Sequence, residues 1–257
     1  MKKIKAFFVT TALITLSAFA IFHQSPKITI AAAADLKFAM DSLIIAYKVQ
    51  NPGADIDVVY GSSGKFYEQI NSDAPFDIFF SADIDYPNKL KDKGLTAGDI
   101  KTYGIGQIVL WSKKTDPNKE QMNTLLDADI SKIAIANPDH APYGKRAVEA
   151  LQYYKLYDKV QTKLVFGENI SQTAQFVTTG AADIGIVALS LAVSPTMKNE
   201  GGKYYIIPEK SHTLLEQAYI LLKHSIGNST ATGFYNFISS PAAINILAYY
   251  GFSQKTK

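Results

Sequence analysis

The stretch DIDVVYGSSGKFYEQI, residues 55–70, joins three kinds of local structure. Asp55–Tyr60 is rich in β-branched and aromatic side chains, which is typical of a strand. The loop GSSG follows, and a helix is predicted from about Lys65 to Asn71. A strand, a loop of small residues and a helix in this order predict an α/β fold, and they also form the arrangement that binds anions at helix N-termini.

The same order of elements recurs along the chain and predicts parallel strands. Lys27–Ala34 predicts a buried strand, and apolar residues at helical spacing follow it from Leu36 to Ile44. Further strands are predicted at 76–83, 107–112, 133–136, 184–188, 204–207 and 217–222. Further helices are predicted behind Gly144, from 169 to about 178, and from 230 to 250 in two pieces divided at Ser239-Ser240-Pro241.

Four junctions between a strand or loop and a helix share one character: 34–36, 61–65, 141–145 and 168–171. Ligands of open α/β sheets bind beyond the carboxyl ends of the strands, and helix N-termini carry unpaired N–H groups. The four junctions together could therefore surround one anion with donors. A plainer interpretation is that Asp35, Ser62 and Ser63 only cap helices, with Asp35 at the N-cap position.

The first 26 residues predict a secretory signal peptide. Lys2, Lys3 and Lys5 precede an apolar run to Phe22, and Ala18-Phe19-Ala20 has the small-residue pattern of a cleavage site. Cleavage is expected between residues 20 and 26. A membrane anchor is the alternative, but the run is short for a spanning helix and is interrupted by hydroxyl residues.

Charge and cysteine content exclude several classes of function. Without the three leader lysines, 23 basic residues equal the 23 acidic ones, so the charge gives no reason to expect nucleic acid as a partner. The chain has no cysteine, which excludes disulfides, a thiol nucleophile and a lipidated N-terminal cysteine. An exported chain of this composition is expected in the periplasm.

The GSSG loop has two further interpretations, as a phosphate loop and as the site of a nucleophilic serine. A Walker phosphate loop needs four residues between its glycines and a hydroxyl residue after its lysine, whereas two residues separate Gly61 from Gly64 here and Phe66 follows the lysine. Ser62 or Ser63 could instead be the nucleophile of a hydrolase with His140 as base, although the spacing is one residue short of a nucleophile elbow.

Two non-catalytic interpretations remain. The four histidines, at 23, 140, 212 and 224, have no metal-ligand spacing, and the paired tyrosines are best explained as core residues. An oxyanion receptor fits the pattern better, because N–H and hydroxyl donors can hold a dianion without a cationic side chain. Ser63 would supply both kinds of donor.

The sequence resembles the periplasmic molybdate-binding proteins of molybdate ABC importers. The matching segments are AAAADLKFAMDSL (31–43), YGSSGKFYEQI (60–70), APFDIFFSADIDYP (74–87), NPDHAPYGKRAVEALQ (137–152), GENISQTAQFVTTGAADIGIVALS (167–190) and SSPAAINILAYYGF (239–252). The resemblance implies a type II periplasmic binding protein fold, in which two α/β lobes are joined by two crossing strands and the ligand lies in the cleft between them. Lobe I would be 27–106 plus 219–257, and lobe II would be 107–218.

The resemblance also implies the binding residues. Ser63 would donate its N–H and hydroxyl, and Tyr143 and Ile170 would donate backbone N–H groups. The full set of expected oxyanion-binding residues is Ala34, Asp35, Ser62, Ser63, Tyr143, Ile170 and Ala188. The expected ligand is molybdate or tungstate; neither a cofactor nor a catalytic residue is expected, and the only metal would be that of the oxyanion.

Two of these positions depart from the family pattern. Asp35 stands where the best-known members have a serine after the first strand, and Ala188 stands where they have a tyrosine. An ionised carboxylate would repel a dianion. Asp35 is therefore expected either to cap its own helix, so that only its N–H or that of Ala34 faces the ligand, or to be protonated and donate. Tyr143 is expected to replace the missing hydroxyl, so Tyr143→Phe would weaken binding by roughly 1–3 kcal/mol.

These features predict a non-enzymatic, monomeric periplasmic receptor that delivers molybdate, and tungstate too, to the membrane permease of an ABC importer. A receptor for another oxyanion, such as sulfate or phosphate, is the alternative of the same class. A periplasmic serine hydrolase is the alternative of a different class.

Overall fold

A computed structural model describes residues 26–254 of the chain. The predicted signal peptide lies outside the described residues, apart from its last position, and its cleavage stays a prediction. Among the described residues, no helix combines the length and the apolar character needed to cross a membrane.

Within residues 26–254, ten strands form two mixed sheets of five strands each. The strand order is β2-β1-β3-β10-β4 in the first sheet and β7-β6-β8-β5-β9 in the second. The bounds are β1 Ile28–Ala33, β2 Ile56–Gly61, β3 Ile78–Ser81, β4 Lys101–Gly106, β5 Ile108–Ser112, β6 Ile133–Ala136, β7 Leu164–Gly167, β8 Ile184–Ala188, β9 Lys203–Ile206 and β10 Leu215–Leu221.

Helices cover both sheets and supply the α part of the predicted α/β class. The α-helices are α1 Lys37–Gln50, α2 Ser63–Asn71, α3 Asp85–Asp92, α4 Pro117–Glu120, α5 Pro142–Tyr153, α6 Tyr157–Val160, α7 Ile170–Thr178, α8 Leu189–Ala192, α9 Pro195–Asn199, α10 Ser229–Phe237 and α11 Pro241–Tyr249. Short 3₁₀ helices lie at Ala34–Leu36, Gln121–Leu126, Gln161–Lys163, Glu209–Ser211 and Lys223–Ser225.

Each sheet combines parallel and antiparallel pairs. In the first sheet β1 pairs in parallel with β2 and β3, and β10 runs antiparallel between β3 and β4. In the second sheet β6 pairs in parallel with β7 and β8, and β5 runs antiparallel between β8 and β9. The prediction of parallel strands is therefore confirmed for three adjacent strands at one side of each sheet, β2-β1-β3 and β7-β6-β8, and β4, β5, β9 and β10 lie outside that pattern.

The two sheets are connected twice. The chain leaves the first sheet at Gly106, the last residue of β4, and enters β5 at Ile108. It returns through β10, whose first residue, Leu215, pairs with Gly106. The predicted lobe boundaries stay a prediction; the one placed between residues 218 and 219 falls inside β10.

The central strands are buried on both faces, which is why they read as apolar runs. β6, β8 and the alanines at the end of β1 are almost fully buried. Small side chains at Ala31–Ala33 bring the end of β1 close to its neighbours, so the residues that follow the strand can approach a shared cleft. The break between the last two helices lies where it was predicted, with Ser240 capping α11 through the N–H of Ala243 at 3.3 Å.

Candidate functional site

All four predicted junctions meet at one small cavity between the two sheets. The end of β1 and its 3₁₀ turn contribute one wall, and the N-termini of α2, α5 and α7 contribute the others. The lining residues are Ala33, Ala34, Asp35, Gly61, Ser62, Ser63, Ala82, Ala141, Pro142, Tyr143 and Ile170. Asp35 is the only one of them with an acidic or basic side chain, so any anion bound there would be held by neutral donors.

Ser63 is placed to donate twice. It is the first residue of α2 and is fully buried. Its Oγ accepts a hydrogen bond from the N–H of Ala82 at 2.9 Å. The hydroxyl proton and the first-turn N–H of Ser63 are then left for a ligand, since an N–H at the start of a helix has no intrahelical acceptor. These are the two donors that the sequence predicts for Ser63, and their contact with a ligand stays a prediction.

Ile170 offers a backbone donor because of how its helix is capped. The side chain of Asn169 accepts from the N–H groups of Ser171 and Gln172, both at 3.0 Å. The N–H of Thr173 bonds the carbonyl of Asn169 at 3.1 Å. Within the described part of the chain this leaves the first N–H of α7, that of Ile170, for the cavity.

Asp35 does not cap a helix. It lies inside the 3₁₀ turn, and the residue before that turn, Ala33, makes no side-chain cap. The predicted N-cap role is therefore wrong, and the reason is tertiary: Asp35 Oδ2 accepts a hydrogen bond from the hydroxyl of Tyr143 at 2.9 Å. Asp35 is 1% exposed, and its Oδ1 has no hydrogen-bond partner among residues 26–254.

Burial decides the protonation of Asp35. Loss of solvent raises the pKa of its carboxyl to about 7, and the polar groups around it, first Gln217 and then Tyr143 and nearby backbone N–H groups, act in the opposite direction. A carboxyl with this pKa is neutral in a large fraction of molecules at neutral pH. The second expectation, a protonated Asp35 that can donate, is thus compatible with its surroundings.

A buried chain of hydrogen bonds holds Asp35 in place. Gln217 Nε2 donates to the Tyr143 hydroxyl at 2.9 Å, and the Tyr103 hydroxyl donates to Gln217 Oε1 at 2.5 Å. The Ser190 hydroxyl donates to the backbone carbonyl of Asp35 at 2.8 Å. Since Tyr143 gives its one hydroxyl proton to Asp35, it does not replace a missing hydroxyl donor in the cavity. What Tyr143 leaves for a ligand is the backbone N–H near the start of α5.

Sequence reasoning missed Gln217 and Ser190. Gln217 is fully buried within the apolar strand LEQAYIL, and a polar residue at such a position is a signal of a buried network. Ala188, by contrast, was predicted at the site but is not among the lining residues. It ends β8, is fully buried and precedes α8, and the contact that this region makes with Asp35 comes from Ser190.

Ser62 belongs to a second group of contacts that bridges the two sheets. Its Oγ lies 2.8 Å from His140 Nδ1, and His140 Nε2 lies 3.4 Å from Glu168 Oε1. Lys65 contacts the same carboxylate, and the N–H of Gly64 donates to the carbonyl of His140 at 2.9 Å. We call Ser62, Lys65, His140 and Glu168 the cleft bridge, because α2 meets the loops after β6 and β7 there.

Two further contacts complete the description of the cleft. Arg146 on α5 contacts Asp83, which follows β3, at 3.1 Å and Glu149 at 2.8 Å.

Among the described residues, no group of three or more His, Cys, Asp or Glu side chains is arranged to hold a metal ion. The expectation that the protein has no cofactor stays a prediction.

Known proteins resemble this chain over most of its length. Residues 28–253 match the family model described as bacterial extracellular solute-binding protein. The chain is 35% identical over 205 residues to the molybdate-binding protein ModA of Rhodobacter capsulatus, covering 79% of each chain. It is 34% identical over 230 residues to ModA of Azotobacter vinelandii, covering 89% of this chain and 90% of that one.

Solved structures show the same fold. The periplasmic molybdate-binding protein of Azotobacter vinelandii superposes with a TM-score of 0.84 at 30% identity, covering 90% of this chain and all of that one. The sulfate-binding protein SubI of Mycobacterium tuberculosis superposes with a TM-score of 0.71 at 18% identity, covering 88% and 86%, a likeness of fold alone. The chain has the type II periplasmic binding fold and belongs to the family of bacterial extracellular solute-binding proteins.

Proposed function

We propose that the protein is a periplasmic receptor that binds molybdate, and tungstate as well, and delivers the anion to the permease of an ABC importer. The observation that carries the proposal is the convergence of the β1 turn and three helix N-termini on one small cavity whose donors are N–H groups and a serine hydroxyl. Several neutral donors aimed at one point stabilise an anion, since hydrogen bonds to a charged partner are about twice as strong as neutral ones.

The relatives support the choice of anion. Those at 35% and 34% identity are named molybdate-binding proteins, and they align with most of this chain. Size gives a physical reason for selectivity. The donors stand on helix ends that packing holds in place, so sulfate, which has shorter bonds to oxygen, would not reach all of them at once. Molybdate and tungstate are nearly equal in size and should both fit.

Delivery to an importer requires a conformational signal. The cleft bridge and the Arg146–Asp83 contact join the two sheets around the cavity, so they belong to the closed form. A ligand that contacts both sides shifts the population toward that form. The closed receptor, acting as a monomer released from its leader peptide, would then dock on the permease.

Asp35 favours a second candidate ligand. An ionised Asp35 could accept a hydrogen bond from a protonated anion such as hydrogen phosphate, through the unpartnered Oδ1. Fully deprotonated molybdate has no proton to give. The protonation of one side chain therefore distinguishes two classes of oxyanion.

One feature of the structure favours the hydrolase alternative, and another argues against it. Ser62, His140 and Glu168 are arranged like a nucleophile, base and acid. However, Ser62 comes from the first-sheet side and His140 from the second-sheet side. The pair would assemble only when the cleft closes, and the closed cavity is too small for an ester or peptide. The cleft bridge is better explained as a set of contacts that stabilises the closed form. This role is consistent with a protein that is not an enzyme.

The test is isothermal titration of the mature, ligand-stripped protein with molybdate, tungstate, sulfate and phosphate. Tight one-to-one binding of the first two, with no heat from the others, is expected. Preference for sulfate or phosphate would overturn the choice of anion. If none of the four binds, the receptor function itself fails, and an esterase assay with Ser62→Ala as its control would follow.

A further inference from the structure

We infer that Asp35 binds the oxyanion as a neutral carboxylic acid, donating a hydrogen bond from Oδ1, so that the capture of each anion under alkaline conditions takes up one proton from solvent. This inference rests on the proposed function and identifies how the site tolerates an acidic residue. It makes the proton a second ligand of the receptor.

The position of the carboxyl group is the first argument. Asp35 lines the cavity beside Ala34 and opposite the N-termini of α2 and α7, and it is almost completely buried. Its Oδ1 has no partner among the described residues. A buried polar atom without a partner is uncommon and costs free energy, so a bound group that pairs with Oδ1 would remove that cost.

The hydrogen-bond chain decides which oxygen carries the proton. Oδ2 already accepts from the Tyr143 hydroxyl, and Gln217 donates to that hydroxyl in turn. The Gln217 carbonyl is occupied by Tyr103, so the amide is fixed in this orientation. Oδ2 is therefore the acceptor of the pair, and a proton on the carboxyl belongs on Oδ1, the atom that lacks a partner.

The groups that face Asp35 do not compensate a negative charge. Tyr143 of α5 and Tyr103 of β4 are the titratable neighbours, and burial raises the pKa of both hydroxyls, so both stay neutral. Gln217 of β10, Ser190 of α8 and Ile170 of α7 are uncharged. Lys37, two residues further along the chain, is exposed with its Nζ over the Phe38 ring.

The charged and titratable groups elsewhere at the cleft are those of the cleft bridge, which contact Ser62 or one another, and the pair Arg146 and Asp83. Lys65 and Glu168 face one another at the surface, about half exposed, and do not contact Asp35. A dianion and an ionised Asp35 would thus meet in a buried site without a cation between them, and their repulsion is strong there because little solvent screens it. Taking up a proton removes that repulsion and creates a donor.

Proton uptake by Asp35 determines how the affinity for molybdate depends on pH. The free protein holds the proton below its carboxyl pKa of about 7, and binding there costs nothing extra. Above that pH the proton must be taken up with the anion, so affinity for molybdate should fall toward about tenfold per pH unit. The affinity should be level near pH 6 and reduced by roughly two orders of magnitude at about pH 9.

The test measures protons directly and needs no variant. Molybdate is titrated into the mature wild-type protein at about pH 8 in two oxyanion-free buffers whose ionisation enthalpies differ. The difference in observed heat should correspond to an uptake of about one proton per anion. Molybdate binding without proton uptake, and with an affinity that is flat from pH 6 to pH 9, would overturn the inference and leave the proposed function intact.

Two variants identify the side chain that takes up the proton. Asp35→Asn keeps a donor of the same size, and it should bind molybdate with no proton uptake and no loss of affinity at high pH. His140→Gln removes the imidazole of the cleft bridge, and it should keep the wild-type slope above pH 7. If the slope follows His140 instead of Asp35, the inference is wrong. Binding of none of the anions at any pH would overturn the proposed function itself.

Discussion

At the scale of single residues, Ser63 carries the clearest functional prediction. Ser63→Ala removes the hydroxyl donor and also leaves the Ala82 N–H without its acceptor. We expect affinity for molybdate to fall by about 1–3 kcal/mol, since a buried anion oxygen loses its partner. Isothermal titration measures the loss. Ser62→Ala is the matched comparison: it breaks the contact with His140 but keeps the cavity hydroxyl, so its loss should be smaller.

Tyr143→Phe should move the pH dependence of binding more than it weakens binding itself. The Tyr143 hydroxyl donates to Asp35 and so lowers the pKa of that carboxyl relative to what burial alone would give. Removing the donor raises the pKa of Asp35, so the pH at which affinity begins to fall should shift upward. Titrations between about pH 6 and about pH 9 measure this midpoint. A downward shift, or a uniform loss at every pH, would show that the hydroxyl acts on the anion instead.

The junctions that line the cavity could be predicted from local sequence, because helix N-termini have local signals. The choice of Tyr143 and Ile170 within them came from the family resemblance. The role of Asp35 could not be predicted in the same way. Its partner Tyr143 is 108 residues away, and Gln217 lies 74 residues beyond Tyr143. Local sequence predicts that an aspartate at this position caps its own helix. In the structure its carboxylate instead accepts a hydrogen bond from Tyr143, which is distant in the sequence.

At the scale of elements, the N-terminus of α2 must come very close to the loop after β6. A Cβ atom added at Gly64 would lie 2.6 Å from the backbone carbonyl oxygen of His140, which cannot move aside as a side chain can. The close approach is what lets the Gly64 N–H bond that carbonyl at 2.9 Å. Glycine at this position therefore serves closure of the cleft.

Gly64→Ala should hold the cleft partly open. Affinity for molybdate should fall by roughly tenfold or more, because the form that binds is less populated. Small-angle scattering should show a smaller compaction when ligand is added. Gly98→Ala is the control: its Cβ would make ordinary contacts at 3.5–3.8 Å, and its affinity should equal that of the wild type. Wild-type affinity in Gly64→Ala would mean that closure does not need this approach.

Two strands that the sequence did not predict, β4 and β7, carry only a weak strand signal. β4, with the sequence KTYGIG, contains two glycines that weaken any strand signal. The glycines are needed by its surroundings, because a Cβ at Gly106 would lie 2.2 Å from Gln217 Nε2 and 2.5 Å from the Tyr143 hydroxyl. β7 is short and half exposed, so it lacks an apolar run. Both strands are specified by their neighbours in the sheet and by little in their own sequence.

At the scale of the whole molecule, the proposed function makes closure and binding one equilibrium. Any contact that exists only in the closed form contributes to the apparent affinity, even where it does not touch the anion. Arg146 is such a residue: it is 8% exposed and joins Asp83 on the first-sheet side to Glu149 on its own helix. Glu149 in turn accepts from the N–H of Thr213 at 2.7 Å, just before β10.

Arg146→Met keeps the aliphatic stem but leaves the carboxylates of Asp83 and Glu149 facing each other without a cation. We expect affinity for molybdate to fall by about 1–3 kcal/mol, mainly through faster release, because the loss destabilises the closed form. Stopped-flow dissociation measures the release rate. Lys203→Ala, which removes an exposed ion pair with Asp116 at 3.0 Å away from the cleft, should change neither rate nor affinity. Equal release from Arg146→Met and the wild type would mean that closure depends on the cleft bridge and the anion alone.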